Sequence, residues 1–432
     1  RHKVVEFMIA KDEFGLFNYE HLKKQYSKIH DYMADGRIIS AYTVKHGGLI
    51  EAVAKMAFGN QIGFEFDTNL SLEDLAEMNY GHIVCELDEQ EEFLLGGDMR
   101  LVGYTIDEPI LLYKDEKVAL EEAYTWYTQP LEEVFPTSVK APTETMIQKD
   151  CAVRGEAHSK VYVEVPHVTI PVFPGTNCEY DSKRAFEKAG ASVELVLIRN
   201  KHEGDIERSI QELKEAIDRS QIVMLPGGFS AGDEPEGSGK FIATVLRNES
   251  LKEAIHNLLH KRDGLMIGIC NGFQALIKLG LLPDGEIRDM TQNDATLTFN
   301  TIGRHLSQMV TTRVASVKSP WLANVNVGDT HIIPISHGEG RFIAPMEKIQ
   351  EFFDNGQVFT QYVDENGEPT MVSPYNPNGS MCAIEGLISK DGRVLGKMGH
   401  SERQGENRFK NIYGEMDQKI FEAGVNYFKG GK

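Results

Sequence analysis

Residues 264–274, Gly-Leu-Met-Ile-Gly-Ile-Cys-Asn-Gly-Phe-Gln, restrict the fold more than any other stretch of this 432-residue chain. A short apolar run ends in Gly-x-Cys-x-Gly, and Phe273 to Leu279 then carries helical spacing. The pattern predicts a nucleophile elbow with cysteine in place of serine: a strand, one sharp turn, a helix. A nucleophile at such a turn sits in a strained backbone conformation, and side chains at the flanking glycines would collide with neighbouring backbone. The helix aims its first N–H groups at the sulfur, which predicts a thiolate with a lowered pKa. A lone cysteine at a strand end is more often a packed core residue. Glycine on both sides and an immediate helix favour the nucleophile.

The elbow lies inside a longer repetition of strand, loop and helix. Val168–Phe173, Val193–Ile198 and Ile222–Leu225 read as strands. Helical patterns over Asp181–Ala189, Ile210–Ile217, Phe241–Leu246 and Leu251–Leu259 alternate with them. Such alternation predicts an α/β domain over 166–432, with a mostly parallel sheet flanked by helices. Ligands in such sheets bind beyond the carboxyl ends of the strands. Cys270 and the loop Pro226-Gly227-Gly228-Phe229-Ser230-Ala231-Gly232-Asp233 both follow strands, which puts them on one rim.

Residues 1–125 form a second, smaller α+β unit. Val4–Ala10 is strand-like, and Gly48–Phe58 is an amphipathic helix entered through the Gly47-Gly48 turn. Ile62–Phe66 alternates as a strand, Ser71 caps a helix running to Met78, and Ile83–Leu87 and Leu101–Ile106 read as strands. Residues 126–165 mix aromatics, prolines and threonines without a period, and read as a connector. The chain opens at Arg1, without methionine and almost directly in a strand, and reads as a piece of a longer polypeptide.

Composition removes several classes of function. A formal net charge of -20 argues against a nucleic-acid or anionic-membrane surface. No apolar run is long enough to span a bilayer, and no signal-peptide core opens the chain. Five scattered cysteines (Cys85, Cys151, Cys178, Cys270, Cys382) without a CxxC pair fit a reducing cytoplasm and give no zinc site by spacing.

Acyl transfer by a cysteine needs a base, a group that orients the base, and N–H donors for the oxyanion. Gly227, Gly228 and the Asn271 N–H supply donors. Among 14 histidines two stand out, each in a His-x-Glu pair: His337 with Glu339, and His400 with Glu402 after a buried strand. Chemistry alone leaves that choice even. Cys178 has no elbow around it and reads as structural; His82, His305 and His331 read as packing or surface residues. The acidic stretches Glu86–Glu92 and Asp364-Glu365 read as solvated faces.

Taken together, Pro226–Asp233, the elbow with Leu279-Gly280-Leu281-Leu282-Pro283, and His337-Gly338-Glu339-Gly340-Arg341-Phe342 resemble class I (triad) glutamine amidotransferases. More narrowly, the segment from Val168 to the C-terminus is similar to the glutaminase part of the phosphoribosylformylglycinamidine synthase family. That family's late His-Pro-Glu-Arg motif maps onto His400-Ser401-Glu402-Arg403, with serine replacing proline. The resemblance implies Cys270 as nucleophile, His400 and Glu402 as its partners, and Gly227, Gly228, Asn271 and Gln274 on the glutamine and oxyanion side. It implies glutamine as substrate, no cofactor and no metal for the glutaminase step, and ATP with Mg in the parent enzyme. The resemblance is to the large, single-chain form, so the expected partner is the N-terminal synthetase domains of the same polypeptide, which convert formylglycinamide ribonucleotide to its amidine, and the expected place is the cytoplasm. Residues 40–49 and 54–59 resemble the C-terminal lobe of aminoimidazole ribonucleotide synthetases. There Thr43, Lys45 and His46 replace the acidic and serine positions of Asp-x-Ser-Asp-Gly-Gly, which favours a structural or degenerate lobe. A stand-alone amidase or peptidase of the same sheet type, or a non-catalytic scaffold, are the alternative readings.

Overall fold

A computed structural model describes residues 1–88, 97–134, 136, 146–232, 238–405 and 408–430. Asp233, residues 89–92 of the acidic stretch and residues 135 and 137–145 of the connector lie outside the described residues. The chain divides into two compact units, Arg1–Thr137 and Ser138–Lys432. The stretch read as a connector is thereby split, and its first residues close a helix of the first unit.

In unit 1, β1 (Lys3–Phe7) is followed by α1 (Tyr19–Ala34), β2 (Ile38–Thr43), α2 (Gly48–Phe58) and β3 (Gly63–Phe66). Then come α3 (Leu72–Ala76), β4 (Ile83–Leu87), β5 (Met99–Ile106), β6 (Ile110–Tyr113), β7 (Glu116–Ala119) and α4 (Leu120–Thr128). The seven strands form one sheet in the order β2-β4-β1-β5-β3-β6-β7. Successive side chains of a strand point to opposite faces, and here both faces are covered. Val4 packs with Leu49, Val53 and Leu75, whereas Val5 and Phe7 pack with Ile29. Helix α2 matches its expected bounds, and Ser71 caps α3 through a capping box with Asp74. Helix α1 escaped the sequence reading because only Gln25 and Ile29 on it are buried. His82, read as a packing or surface residue, bonds the fully buried Glu6 at 2.7 Å across the sheet. Sequence spacing had no means of revealing that pair.

Unit 2 begins its sheet with β8 (His167–Val172), α5 (Glu179–Lys188), β9 (Ser192–Leu197), α6 (Asp205–Arg219) and β10 (Ile222–Leu225). After α7 (Lys240–Leu246) and α8 (Glu249–His256) come the elbow strand β11 (Leu265–Ile269), α9 (Asn271–Leu279) and α10 (Leu281–Asp284). The remainder is β12 (Thr296–Thr298), β13 (Leu306–Val314), β14 (Thr330–His337), β15 (Arg341–Ile343), α11 (Met346–Asp354), β16 (Val358–Tyr362), β17 (Ile384–Ile388), β18 (Val394–Lys397) and α12 (Ile420–Lys429).

Nine of these strands make one sheet, ordered β14-β13-β16-β17-β18-β11-β10-β8-β9. The half from β9 to β18 is parallel, as the strand–helix repetition predicts. Strands β10 and β11 are buried at every position, which is what a sheet covered on both faces requires of its central strands. From β18 outward the sheet continues antiparallel through β17, β16, β13 and β14. Strand β18 pairs with β11 in the register Ile269↔Lys397. That register brings the loop after Lys397 to the elbow. Among the described residues no helix is long and apolar enough to cross a membrane.

Candidate active site

Cys270 stands between β11 and α9 with φ 52° and ψ −107°, a conformation that costs an L-residue on the order of 1–3 kcal/mol. The glycines around it are sterically required. A Cβ on Gly272 would lie 2.0 Å from the Leu225 carbonyl oxygen, and one on Gly268 2.6 Å from Leu276 Cδ1. The strand–turn–helix geometry expected of the elbow is therefore present, held against β10 by backbone contact.

The expected lowering of the thiol pKa is not found. Burial pushes the Cys270 thiol up to about 12, with the nearby Cys178 and Glu402 adding to the rise. The Asn271 N–H hydrogen bond pulls the other way, as a helix start should, but desolvation is the larger effect. A helix N-terminus favours thiolate only where the charge it stabilises is not stripped of water. The thiol donates to the Ser336 carbonyl oxygen at 3.6 Å.

His400 and Glu402 are both buried, and Nδ1 of the imidazole lies 2.6 Å from Glu402 Oε1. A carboxylate accepts only, so Nδ1 carries the proton and Nε2 keeps its lone pair. Nε2 is buried without a hydrogen-bond partner among the described residues, as is Glu402 Oε2. Gly227 lies between the elbow and this pair. A Cβ there would stand 2.8 Å from His400 Cε1, 3.2 Å from Cys178 Sγ and 3.4 Å from Cys270 Cβ. Three reactive side chains thus converge on one glycine, whose carbonyl oxygen accepts the N–H groups of Asn177 and Cys178.

His337, the other candidate base, is also buried but is held differently. Asn300 Nδ2 donates to the carbonyls of Arg304 and His337, so its Oδ1 faces His337 Nδ1 at 3.1 Å and Gly340 N–H at 3.1 Å. Glu339 turns away, and its carboxylate accepts the Ser238 N–H at 3.2 Å. The His-x-Glu spacing therefore makes a buried hydrogen-bonded pair at 400 and 402 and none at 337 and 339. Burial, with the charges of His400 and His305, brings the His337 imidazole down to about 3, so it is neutral at physiological pH.

Asn271 and Gln274 form a chain of side-chain bonds beneath the rim. Asn271 Oδ1 accepts the Ser230 N–H at 3.2 Å, its Nδ2 donates to Gln274 Oε1 at 2.9 Å, and Gln274 Nε2 donates to the Glu339 carbonyl at 2.6 Å. Both ends of the Gln274 amide are thus engaged within the protein.

Two features of the site carry no local signal in the sequence. Cys178, read as structural, is at the site: His400 Nδ1 lies 3.8 Å from its sulfur, and Arg403 Nη2 donates to it at 3.1 Å. Burial and the Glu402 charge push this thiol up to about 12, against the pull of Arg403. The second is a fully buried ion pair, Lys397 with Glu385 at 3.2 Å, directly under the His400 loop. Lys397 Nζ donates to the Gly399 carbonyl at 3.1 Å and to Ser401 Oγ at 3.0 Å, and Glu385 accepts the Gly399 N–H at 2.7 Å. Ser401 Oγ donates on to Gln418 Oε1 at 2.6 Å. The serine that departs from the amidotransferase pattern is therefore a bonded link between β18 and the C-terminal segment. Lys397→Met strands the Glu385 charge, and denaturant unfolding should show a loss of about 3–5 kcal/mol. Replacing Glu385 with leucine as well should recover part of that loss; an unchanged midpoint for Lys397→Met would show the pair does not hold the loop.

Comparison with known proteins places the segment that carries this geometry. The CobB/CobQ-like glutamine amidotransferase domain matches residues 165–428. A phosphoribosylformylglycinamidine synthase subunit PurQ of Aquifex aeolicus is 35% identical over 236 residues, covering 55% of this chain and 90% of the relative. The PurQ subunit of Treponema denticola is 34% identical over 271 residues, 59% of this chain and 95% of the relative. Among solved structures, PurLQS from Thermotoga maritima aligns at 29% identity and a TM-score of 0.45, over 61% of this chain and 100% of that chain. With more than half its length matched, all of it within unit 2, this chain belongs to the CobB/CobQ-like glutamine amidotransferase family.

Proposed function

We propose that unit 2 is the glutamine-hydrolysing part of a phosphoribosylformylglycinamidine synthase, releasing ammonia for de novo purine biosynthesis. The observation that carries this reading is the convergence at Gly227: a cysteine on a strained elbow and a buried His400–Glu402 pair with a free Nε2. The names and near-complete coverage of the PurQ relatives support the same reading. In the proposed reaction His400 Nε2 takes the Cys270 proton as the sulfur leaves the Ser336 carbonyl and attacks the side-chain amide carbon of glutamine. The N–H groups of Gly227, Gly228 and Asn271 stabilise the oxyanion. His400 then returns the proton to the departing ammonia, Glu402 holds the imidazole in its productive tautomer, and water cleaves the thioester to give glutamate.

The partner in this reading is a synthetase that consumes the ammonia, with formylglycinamide ribonucleotide as acceptor and ATP and Mg used there. No cofactor enters the glutamine step. An assay of glutamate release, with and without the synthetase portion added in trans, tests both halves of the proposal. Cys270-dependent glutamate release that rises when the synthetase portion is present is the expected result. Hydrolysis of unrelated amides or peptides in preference to glutamine would favour a general amidase and end it.

A further inference from the structure

We propose that Cys178, His400 and Glu402 form a binding site for a thiophilic divalent cation of the Zn2+ class, and that its occupancy stops the glutaminase reaction. Sulfur, imidazole nitrogen and carboxylate oxygen are the donor set that Zn2+ selects. One donor atom from each of the three buried residues lies within 4.8 Å of the other two. The 3.8 Å between Cys178 Sγ and His400 Nδ1 suits a shared tetrahedral metal. Bond lengths of about 2.3 Å to sulfur and about 2.0–2.1 Å to nitrogen imply a separation of about 3.6 Å between two such ligands. Glu402 already reaches Nδ1 with one oxygen, and its second oxygen is buried with no partner among the described residues. Water fills the fourth position of such a three-ligand site.

The ligand exchange balances as follows. Cys178 gives up its thiol proton to solvent and binds as thiolate, with Arg403 Nη2 still donating to the sulfur. Glu402 releases the Nδ1–H and turns an oxygen to the metal. His400 binds through Nδ1, and the proton it loses there is regained at Nε2, so the imidazole stays neutral. The dication, thiolate and carboxylate sum to zero, which limits the cost of burying the metal, and the half-buried Arg403 guanidinium carries the remaining positive charge.

The consequence rests on His400 being the base, as proposed above. A metal on Nδ1 fixes the tautomer with hydrogen on Nε2, and that nitrogen can no longer accept the Cys270 proton. The metal disarms the reaction without touching the nucleophile.

The test uses the full chain with Zn2+ and Co2+ as probes. Co2+ added to the Cys270→Ala variant should give a sulfur-to-cobalt charge-transfer band in the near ultraviolet. That band should be absent when Cys178→Ala is combined with Cys270→Ala. Zn2+ should suppress glutamate release by the chain, and in Cys178→Ala or the closely sized Cys178→Ser the half-inhibiting concentration should rise by at least about tenfold. Inhibition is read as the ratio with and without metal within each variant, which separates it from any change in turnover. A cobalt–sulfur band that survives in the double variant, or that is lost with Cys270 alone, overturns the site. Equal zinc sensitivity in Cys178→Ser and the parent chain overturns it too. The cobalt spectrum answers even if no form of the chain releases glutamate, so failure of the glutaminase reading is distinguishable.

Discussion

Cys270→Ala is expected to lower glutamate release from glutamine by roughly 10^4- to 10^6-fold, the loss seen when one member of a nucleophile–base unit is removed. The size of the effect follows from what remains. His400 and Glu402 stay in place, but the sulfur that would form the thioester is gone. Cys178 does not substitute: it sits at the start of α5, on the Nδ1 side of His400, with Arg403 bound to its sulfur. Alanine keeps the backbone at φ 52° accessible at the same cost, so the variant should stay folded. Cys270→Ser is the finer probe, because it preserves shape and hydrogen bonding while replacing sulfur with a poorer nucleophile. The thiol is held up at about 12 by burial, so attack depends on a base and not on a pre-formed thiolate. Retention of even a tenth of the parent rate in Cys270→Ala would remove the elbow from the mechanism.

The second large effect separates the two histidines. His400→Asn should reduce kcat by about 10^2- to 10^4-fold, the usual contribution of a positioned acid–base group. His337→Asn should change it by no more than about tenfold. The reason is the environment of each ring. His400 has its Nδ1–H on a carboxylate, and its far nitrogen faces no protein partner among the described residues. His337 is tied to Asn300, and its imidazole is held near 3, far too weakly basic to accept a thiol proton at neutral pH. Steady-state glutamate release over a range of pH measures both. A large loss in His337→Asn with little in His400→Asn would transfer the base to β14.

Much of the parallel half of unit 2 is legible in the sequence alone. Strand β10 falls where its apolar run ends, and α9 begins within two residues of its expected start. These elements are fixed locally, by runs of apolar residues bounded by glycine and by helical spacing. The antiparallel extension from β17 to β14 carries a weaker signal, because β13 and β14 alternate buried and half-buried positions, and β16 and β17, though fully buried, are separated by a long irregular loop. The choice between His337 and His400 was even on chemical spacing, and a family resemblance had to break the tie. In the fold the distinction is plain, since one glutamate bonds its imidazole and the other bonds a backbone N–H.

The elbow is encoded locally, because Gly-x-Cys-x-Gly between an apolar run and a helix permits few other backbone paths. The glycines that flank Cys270 encode a local steric demand, and such demands are written in neighbouring residues. The protonation of the sulfur, the company of Cys178 and the Lys397–Glu385 support under the His400 loop arise only in the folded chain. Each of these depends on groups far apart in the chain, brought together where β18 lies beside β11 and the Gly227 turn. Desolvation, which outweighs the helix N-terminus at Cys270, belongs to no residue singly; it arises only when the surrounding elements close over the thiol.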